Sequence, residues 1–438
     1  MSLLHQQSAE SVHTGLDIFS IPPTQTAVEE GRYEEIYPLA TITPSAPLEF
    51  SVSGATEFYL DFSNTYLHVQ VKIVNGDGSP LPLDSTAAPV NNFLHSLFAQ
   101  VDMSLNGVLV SNSENTYPYR AYLEHILSFG SESQQRGIGQ TSLYYHDTAR
   151  TLHQVEGDNN AGLVARRRRA GVSATMDLMS KLHLDMFAQN RYMLNGVDVK
   201  LRLVPSKNSF CLTQAGVNAD CKYIITHASL FVRRVKLNPA VSLAHAKGLE
   251  KTTAKYPVKR SVVKAFSIPT GSFGVTKDNL FLNQTPTKLV IALCDSQAFT
   301  GSYDTNPYDF SNDLLNFIGL TVDGQQIPCK PLTPNFETKN YVRSYLTTLE
   351  GAGVTKNTKD GIGFSFDDFG HGYNVFCFDL SPSLIDGDQF ELVRAVNVRI
   401  ELKFSHPIPQ PITVLAYGQL DGLIEIDKTR QVITDFSI

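Results

Sequence analysis

The sequence of 438 residues contains no tryptophan, and charged residues make up only 18% of it. An ordinary soluble domain is about 25% charged, so an isolated monomer would have relatively little charge to solvate its surface. This shortage favours a chain that buries surface in an assembly. The net charge of −7 argues against a dedicated nucleic-acid-binding protein, because such proteins are normally basic overall.

Cysteine is scarce, and its spacing fits neither a disulfide framework nor a zinc site. The five cysteines are odd in number and never occur as Cys-x-x-Cys. We therefore expect buried thiols in a reducing compartment, at Cys211, Cys221, Cys294, Cys329 and Cys377.

Targeting and membrane segments are missing as well. The opening residues have neither the basic region nor the apolar region of a signal peptide. Apolar runs such as 289–293 are far shorter than the roughly 20 residues of a membrane-spanning helix. We expect neither secretion by a signal peptide nor a transmembrane helix.

The sequence also lacks the motifs that common enzymes require. Gly-Lys, which a P-loop needs, does not occur, and neither do Gly-x-Ser-x-Gly and His-Glu-x-x-His. No His-x-His pair could place two metal ligands on one face of a strand, and the histidines are scattered among different elements. We expect no catalytic, cofactor or metal site, and no enzyme.

Short alternating apolar runs, separated by turn residues, begin near Leu48 and continue to the end of the chain. Such runs are typical of strands, and Asn106-Gly107 and Asp323-Gly324 favour tight hairpins. Helical patterns are few. One is predicted over 119–129 and another over 239–251, where a proline occupies the first turn.

The two halves of the chain repeat features in the same order. The turn at Asn106-Gly107 precedes Arg120, and the turn at Asp323-Gly324 precedes Arg343. Further on, residues 197–203 correspond to 396–402. An internal duplication follows. We predict an all-β protein, a double jelly roll of two eight-stranded antiparallel β-sandwich rolls with a few short helices in the connections.

These patterns divide the chain into five segments. The first is polar and aperiodic, and we interpret it as an extended N-terminal arm. A helical connector separates the two rolls, and a short tail closes the chain. The predicted ranges are 1–47 for the arm, 48–238 for the first roll, 239–259 for the connector, 260–427 for the second roll and 428–438 for the tail.

Four consecutive arginines form the one conspicuous charged cluster, in a region expected to be a loop. They are Arg166, Arg167, Arg168 and Arg169. One hypothesis is that they neutralise nucleic-acid phosphates or serve as a nuclear-import signal. The alternative is a solvated loop or a set of salt bridges between subunits, and the sequence does not separate the two.

The predicted arm also carries apolar residues that could anchor it during assembly. Each would contribute about 1.5–3 kcal/mol if it were fully buried. The candidate anchors are Phe19, Ile21, Tyr33, Ile36 and Tyr37. A disordered tail without a role is the alternative.

Three stretches of the first half carry a family likeness: 91–98 (NNFLHSLF), 100–107 (QVDMSLNG) and 115–124 (NTYPYRAYLE). They closely resemble the major capsid proteins of Polinton (Maverick) elements and adintoviruses. The likeness continues through 231–237 (FVRRVKL) and 330–336 (KPLTPNF) and covers most of the chain beyond the arm. It includes neither the four arginines nor the first forty residues.

The resemblance implies a double jelly-roll capsid protein that forms homotrimers, which are pseudo-hexameric capsomers of an icosahedral shell around a DNA genome. It implies neighbouring capsomers, a single jelly-roll penton protein and minor capsid proteins as partners, with the packaged DNA contacted only indirectly. The implied location is the virion capsid, with synthesis in the host cytoplasm and assembly in the host nucleus as one alternative.

A second function remains open at this point, namely a duplicated β-sandwich that binds carbohydrate or acts as a glycosidase. The enzyme would need convergent carboxylates, which the sequence does not display. The binding module would have to function without tryptophan, the residue that sugar platforms most often use.

Overall fold

The computed structural model describes residues 7–8, 11–111, 113–130, 137–216, 219–281, 284–356, 361–384, 389–394 and 396–435. Over these ranges the chain is mostly antiparallel sheet with short helices in the connections. None of the helices found there is long and apolar enough to cross a membrane.

The first half of the chain folds into one roll. Its strands are β1 Val28–Ile36, β2 Leu48–Val52, β3 Phe58–Val74, β4 Ala88–Pro89, β5 Phe98–Leu105, β6 Val108–Ser111, β7 Met176–Ser180, β8 Val199–Pro205, β9 Leu212–Thr213 and β10 Lys222–Leu237. Eight of them form two four-stranded sheets, in the orders β1-β10-β3-β7 and β2-β8-β5-β6, while β4 pairs with β9.

The second half builds the same arrangement. Its strands are β11 Ala254–Ile268, β12 Gly274–Lys277, β13 Lys288–Asp295, β14 Leu315–Val322, β15 Gln325–Gln326, β16 Val375–Asp379, β17 Val398–Phe404, β18 Ile412–Ile426 and β19 Val432–Thr434. The sheets run β11-β18-β13-β16 and β12-β17-β14-β15, with β19 added beside β18. Each strand of the first roll's sheets thus has a counterpart, and the predicted double jelly roll is confirmed.

The duplication extends to individual turns. Asn106-Gly107 and Asp323-Gly324 both have positive φ at their two residues, which matches the twist of a two-residue hairpin. In the first roll the side chain of Asp198 accepts a hydrogen bond from the backbone N–H of Gly54, at 2.8 Å. In the second roll Asn397 accepts from Asn279 at the same distance. A short polar side chain therefore braces the same loop in both rolls.

The helices lie in the connections between strands. They are α1 Phe93–Ser96, α2 Tyr117–Ser128, α3 Ile138–Thr141, α4 Ala161–Ala170, α5 Asn208–Cys211, α6 Pro239–Leu249, α7 Ser296–Thr300, α8 Val342–Ala352 and α9 Phe366–Phe369. The two helices predicted from sequence are α2 and α6. Arg120 lies on α2 and Arg343 lies on α8, and each of these helices follows the corresponding hairpin.

The rolls begin and end at different residues from those predicted. β1 lies within the segment interpreted as an arm, yet it pairs with β10 along its length and is the first strand of the first roll. β11 starts at Ala254, inside the predicted connector, and β19 lies in the predicted tail. The arm thus shortens to the residues before Val28. The sequence pattern did not predict β1, because an acidic edge strand with both faces largely exposed has no apolar alternation.

Alternation fixes the core of each sheet. On β3 the residues Leu67, Val69, Val71 and Ile73 are fully buried, whereas the residues between them are only partly covered. Since successive side chains of a strand point to opposite faces, one face of β3 lines the sandwich interior. The buried apolar side chains of both rolls form one continuous core.

Four of the five cysteines are buried, as expected, but Cys329 is exposed. The expectation of five buried thiols is therefore wrong at this position. Cys329 follows the short strand β15 in a connection, where no sheet covers it.

Candidate functional site

Helix α2 lies between the two rolls, and ten of its twelve residues are buried. On one side it packs aromatic rings against the second roll. Tyr122 stacks on Tyr308 with ring centroids 4.1 Å apart, and Tyr119 stacks on Phe299 at 5.5 Å. The Tyr308 hydroxyl also lies 2.6 Å from Ser96 Oγ of the first roll. These contacts join the two rolls through their cores.

Another side of α2 carries a buried ion cluster. Arg120 Nη2 donates to Asp185 Oδ1 at 2.8 Å, and its Nε donates to Glu124 Oε1 at 3.0 Å, one helical turn further on. Only about 4% of the Arg120 side chain is exposed. A buried guanidinium is tolerated only when carboxylates pair with it, so the two acids hold Arg120 in place.

The second roll completes this cluster. The hydroxyls of Ser261 on β11 and Tyr417 on β18 both donate to Glu124 Oε1, each at 3.1 Å. The backbone N–H of Ser261 donates to Asp185 Oδ1 at 3.1 Å. The ions of the first roll are therefore satisfied by polar groups of the second.

Electrostatics keeps Glu124 ionised. Burial would raise its pKa, but Arg120, His183 and the hydrogen bond from Tyr417 together outweigh burial and hold the pKa well below its ordinary value. His183 Nδ1 lies 2.7 Å from Oε2, so both carboxylate oxygens have partners. Such a carboxylate acts as a structural anion and not as a proton donor.

A cavity of about 320 Å³ opens beside the ion cluster and is lined by both rolls. Lys181, Lys259 and Lys288 contribute to its wall. Lys259 Nζ pairs with Asp421 at 2.7 Å, and burial lowers the pKa of Lys181. The lining thus combines these lysines with Glu124, Ser261 and Tyr417, which form hydrogen bonds between the rolls.

The four arginines lie on a helix, not in a loop: they belong to α4, whose N-terminus is capped by Asn160. Arg166 is about 1% exposed. Its Nη2 lies 2.9 Å from Asp147 Oδ1, and its Nε donates to the carbonyl of Pro89 at 3.0 Å. Arg166 is thus an internal ion, and the hypothesis that it contacts nucleic acid is wrong because solvent does not reach it.

The remaining arginines of α4 turn progressively outward. Arg167 donates to the carbonyls of Gly157 and Val155, each at 3.2 Å, which ties the helix to the preceding loop. Arg168 and Arg169 are exposed. A nucleic-acid or import role stays a prediction for these last two residues.

The candidate arm anchors differ in their surroundings. Phe19 is 91% exposed and Ile21 is 89% exposed, in a segment that precedes every strand. Tyr33 and Tyr37 are more than half exposed, on β1 and just beyond its end, whereas Ile36 packs partly against the core. Phe19 and Ile21 are therefore exposed in the single chain.

One group of polar residues was missed from sequence. Glu35, His68 and His227 lie on three neighbouring strands, and one ligand atom from each lies within 4.8 Å of the others. A search for His-x-His examines one strand at a time, so it overlooks a cluster that only strand register assembles. The pairing of β1, β10 and β3 would have been needed to find it.

No family model matches the sequence. Among curated proteins, the Caenorhabditis elegans uncharacterized protein F54H12.2 is 27% identical over 426 residues, a match that covers 95% of this chain and 99% of that protein. The similarity thus spans both rolls.

Solved structures also match this chain over nearly its whole length. A chain in the cryo-EM structure of the Sputnik virophage aligns with a TM-score of 0.67 at 12% identity and covers 100% of this chain and 94% of its own. The faustovirus major capsid protein aligns with a TM-score of 0.58 at 9% identity, covering 95% and 93%. The fold is therefore the double jelly roll found in viral major capsid proteins.

Substituting Arg166 tests its assignment as an internal ion. Arg166→Ala leaves Asp147 buried without its partner, so we expect a loss of about 3–5 kcal/mol in the free energy of unfolding. The matched variant Arg168→Ala, two residues along the same helix but exposed, should change it by no more than about 0.5 kcal/mol. Urea unfolding of the purified proteins measures both, and equal stability of the two variants would contradict the assignment.

We expect the folded protein to lose stability at acidic pH because His125 is buried. Burial lowers the pKa of His125 to about 3, with a further contribution from His183, so the unfolded chain binds the proton more readily than the folded one. The resulting stability is fully present above about pH 6.5 and is lost as the pH falls towards 3. Between pH 6 and pH 4 the loss from this residue is about 1 kcal/mol per pH unit.

The variant His125→Gln has no imidazole to protonate at position 125. Its stability should therefore fall less steeply than that of the wild type as the pH decreases. Urea unfolding at several pH values measures the two slopes. His406→Gln, in an exposed loop, serves as the control and should run parallel to the wild type. Parallel profiles for the wild type and His125→Gln would show that His125 does not contribute.

Proposed function

We propose that the protein is a viral major capsid protein that assembles as trimeric, pseudo-hexameric capsomers of an icosahedral shell around a DNA genome. The single observation that carries this proposal is the alignment of the whole chain, both rolls included, with a chain of the Sputnik virophage particle at a TM-score of 0.67. Two rolls with the same strand order stand side by side in one chain.

The duplication supplies a physical reason for the trimer. Three copies of a two-roll chain present six similar rolls around a three-fold axis, so a trimer can occupy a position with six neighbours. The low fraction of charged residues is consistent with large subunit interfaces, which are relatively apolar in obligate assemblies. Nothing in this role requires catalysis, and the buried carboxylates described above are held as structural ions.

We further propose that the chain belongs to the lineage of Polinton elements and adintoviruses. The sequence stretches that resemble that lineage include 115–124, which contains the buried first turns of α2. Under this proposal the partners are neighbouring capsomers, a single jelly-roll penton protein and minor capsid proteins. The protein is made in the host cytoplasm, and assembly in the nucleus is one alternative. Arg168 and Arg169 are then candidates for an import signal or for weak contacts with the packaged DNA.

We also propose that the residues before Val28 act as an assembly tether. Their exposed apolar side chains, Phe19 and Ile21 above all, find no partner surface within the described part of the chain. Burying them on a neighbouring subunit, on a minor capsid protein or on the inner face of the shell would offset the entropy lost when a short extended segment becomes ordered.

Native mass and imaging test the capsomer proposal. The chain weighs 48.4 kDa, so a trimer should have three times that mass, about 145 kDa. Light scattering after gel filtration measures the mass, and negative-stain microscopy should show particles with a six-fold outline and true three-fold symmetry. A stably folded monomer at micromolar concentration would overturn the proposal, and so would a two-fold oligomer.

Deletions that stop on either side of β1 test the tether. Removing residues 2–24 spares β1 and Gln25, whose side chain accepts from the N–H of Val28 at 2.7 Å. We expect this variant to form trimers normally, but we expect its trimers to assemble poorly into closed shells. Removing residues 2–36 also deletes the strand that covers β10, so this variant should be destabilised or aggregate, because it exposes an unpaired sheet edge.

The yield and stability of particles, seen by sedimentation and electron microscopy, measure the first effect, and thermal unfolding of isolated trimers measures the second. Shells of wild-type yield and stability from the shorter chain would show that the segment is a tail without a role. Loss of the trimer itself on removing 2–24 would show that it acts in folding instead.

A further inference from the structure

We propose that the first roll binds a zinc ion on the outer face of its β1-β10-β3-β7 sheet, with Glu35, His68 and His227 as the protein ligands. Each comes from a different strand: Glu35 from β1, His227 from β10 and His68 from β3. Two imidazoles and a carboxylate are a ligand set that zinc accepts readily. This site does not depend on the proposed capsid function.

Strand register brings the three residues together. His68 pairs directly with Ser229 on β10, and Glu35 pairs with Phe231 on the other side of that strand. His227 lies two residues before Ser229, so it shares the same outward face. A bulge between Ile225 and His227 interrupts the regular pairing of β10 with β3 just before these residues.

The ligand atoms lie around the hydroxyl group of Ser229, which occupies the centre of the candidate site. Ser229 Oγ lies 3.3 Å from His227 Nε2 and 3.5 Å from His68 Nδ1. Glu35 Oε1 lies 3.8 Å from His227 Nε2. Neighbouring ligand atoms of a tetrahedral zinc ion with bonds of about 2.0–2.1 Å are roughly 3.3 Å apart, so small side-chain rotations complete the site.

A fourth residue orients the ligand His68. Asp177 Oδ1, on β7, lies 2.6 Å from His68 Nε2. This hydrogen bond places the ring proton on Nε2 and leaves the lone pair of Nδ1 directed towards Ser229 and His227. A carboxylate that holds the far nitrogen of a ligating histidine is a recurrent feature of zinc sites, where it fixes the tautomer and raises ligand basicity. Asp177 is thus a positioning residue.

The surroundings favour zinc over calcium or magnesium. Those ions prefer oxygen ligands, whereas two of the three groups here are imidazoles. Ser229 is fully buried beneath the cluster, and Phe231 and Tyr37 flank the two histidine rings, with centroids 6.0 Å apart in each pair. The site thus has an apolar border and one side open to a water molecule. A bound ion would connect the edge strand β1 to the two strands beside it.

Calorimetric titration of zinc into the purified full-length protein, made without a histidine tag, tests the proposal. We expect one ion per chain with a dissociation constant in the micromolar range or below. Substitution by cobalt should give the visible absorption of a tetrahedral nitrogen and oxygen site, and calcium and magnesium should not compete. His68→Ala and His227→Ala should each weaken zinc binding at least 100-fold, and Asp177→Asn about 10- to 100-fold.

Two variants serve as controls. His406→Ala removes an exposed histidine from a loop of the second roll and should bind zinc like the wild type. Ser229→Ala removes the hydroxyl on which the hydrogen bonds converge but keeps every ligand, so zinc binding should persist. Loss of zinc binding in Ser229→Ala, with retained folding, would overturn the assignment of the three ligands.

Unfolding midpoints in the presence of a chelator separate failed folding from lost binding. Each ligand variant should match the apo wild type there, while only the wild type and the controls gain stability when zinc is added. Zinc binding that is equally tight in the double variant His68→Ala, His227→Ala, or calcium binding in place of zinc, would overturn the proposal.

Discussion

The burial of helix α2 is the constraint on which the two-roll arrangement depends. Arg120 cannot remain charged in an interior position unless carboxylates pair with it, and Glu124 and Asp185 also accept hydrogen bonds from Ser261 and Tyr417 of the second roll. Separating the rolls would expose the aromatic side of α2 and leave the ion cluster without part of its hydrogen bonds. These buried contacts between the rolls therefore hold the two rolls in their relative position.

Duplication preserved the path of the chain but not the environment of each element. The equivalent helix of the second roll, α8, exposes Val342 and Leu346, and Arg343 donates to the carbonyls of Lys330 and Pro331 instead of joining an ion cluster. One copy of the helix thus joins the rolls internally, while the other faces outward with apolar side chains. Two rolls of the same topology consequently offer neighbours different surfaces, which an assembly with three-fold symmetry can exploit because the six rolls need not be identical.

Local sequence patterns predicted the architecture well. Features that depend on contacts between residues far apart in the sequence could not be predicted from such patterns. The hairpin at Asn106-Gly107 and the helix at Pro239 follow from local backbone preferences, so the sequence is sufficient to place them. Arg166 looks like part of a solvated run until Asp147, nineteen positions earlier, is seen to neutralise it inside the fold. The strand β1 was missed because only its pairing with β10, and not its own composition, makes it a strand.

The first strand connects the N-terminal segment to the outer face of the first sheet. The segment before Val28 leads directly into β1, so a neighbour that holds this segment pulls on an edge strand whose outer side has no partner within the described chain. An edge strand is paired on one side only, and the charges at Glu29, Glu30 and Arg32 discourage unwanted pairing on the other side. Attachment of β1 then depends on its ladder with β10 and on side-chain contacts across the outer face. Because Glu35 lies on that face beside His227 and His68, an ion held by the three residues would reinforce the sheet where the proposed tether attaches.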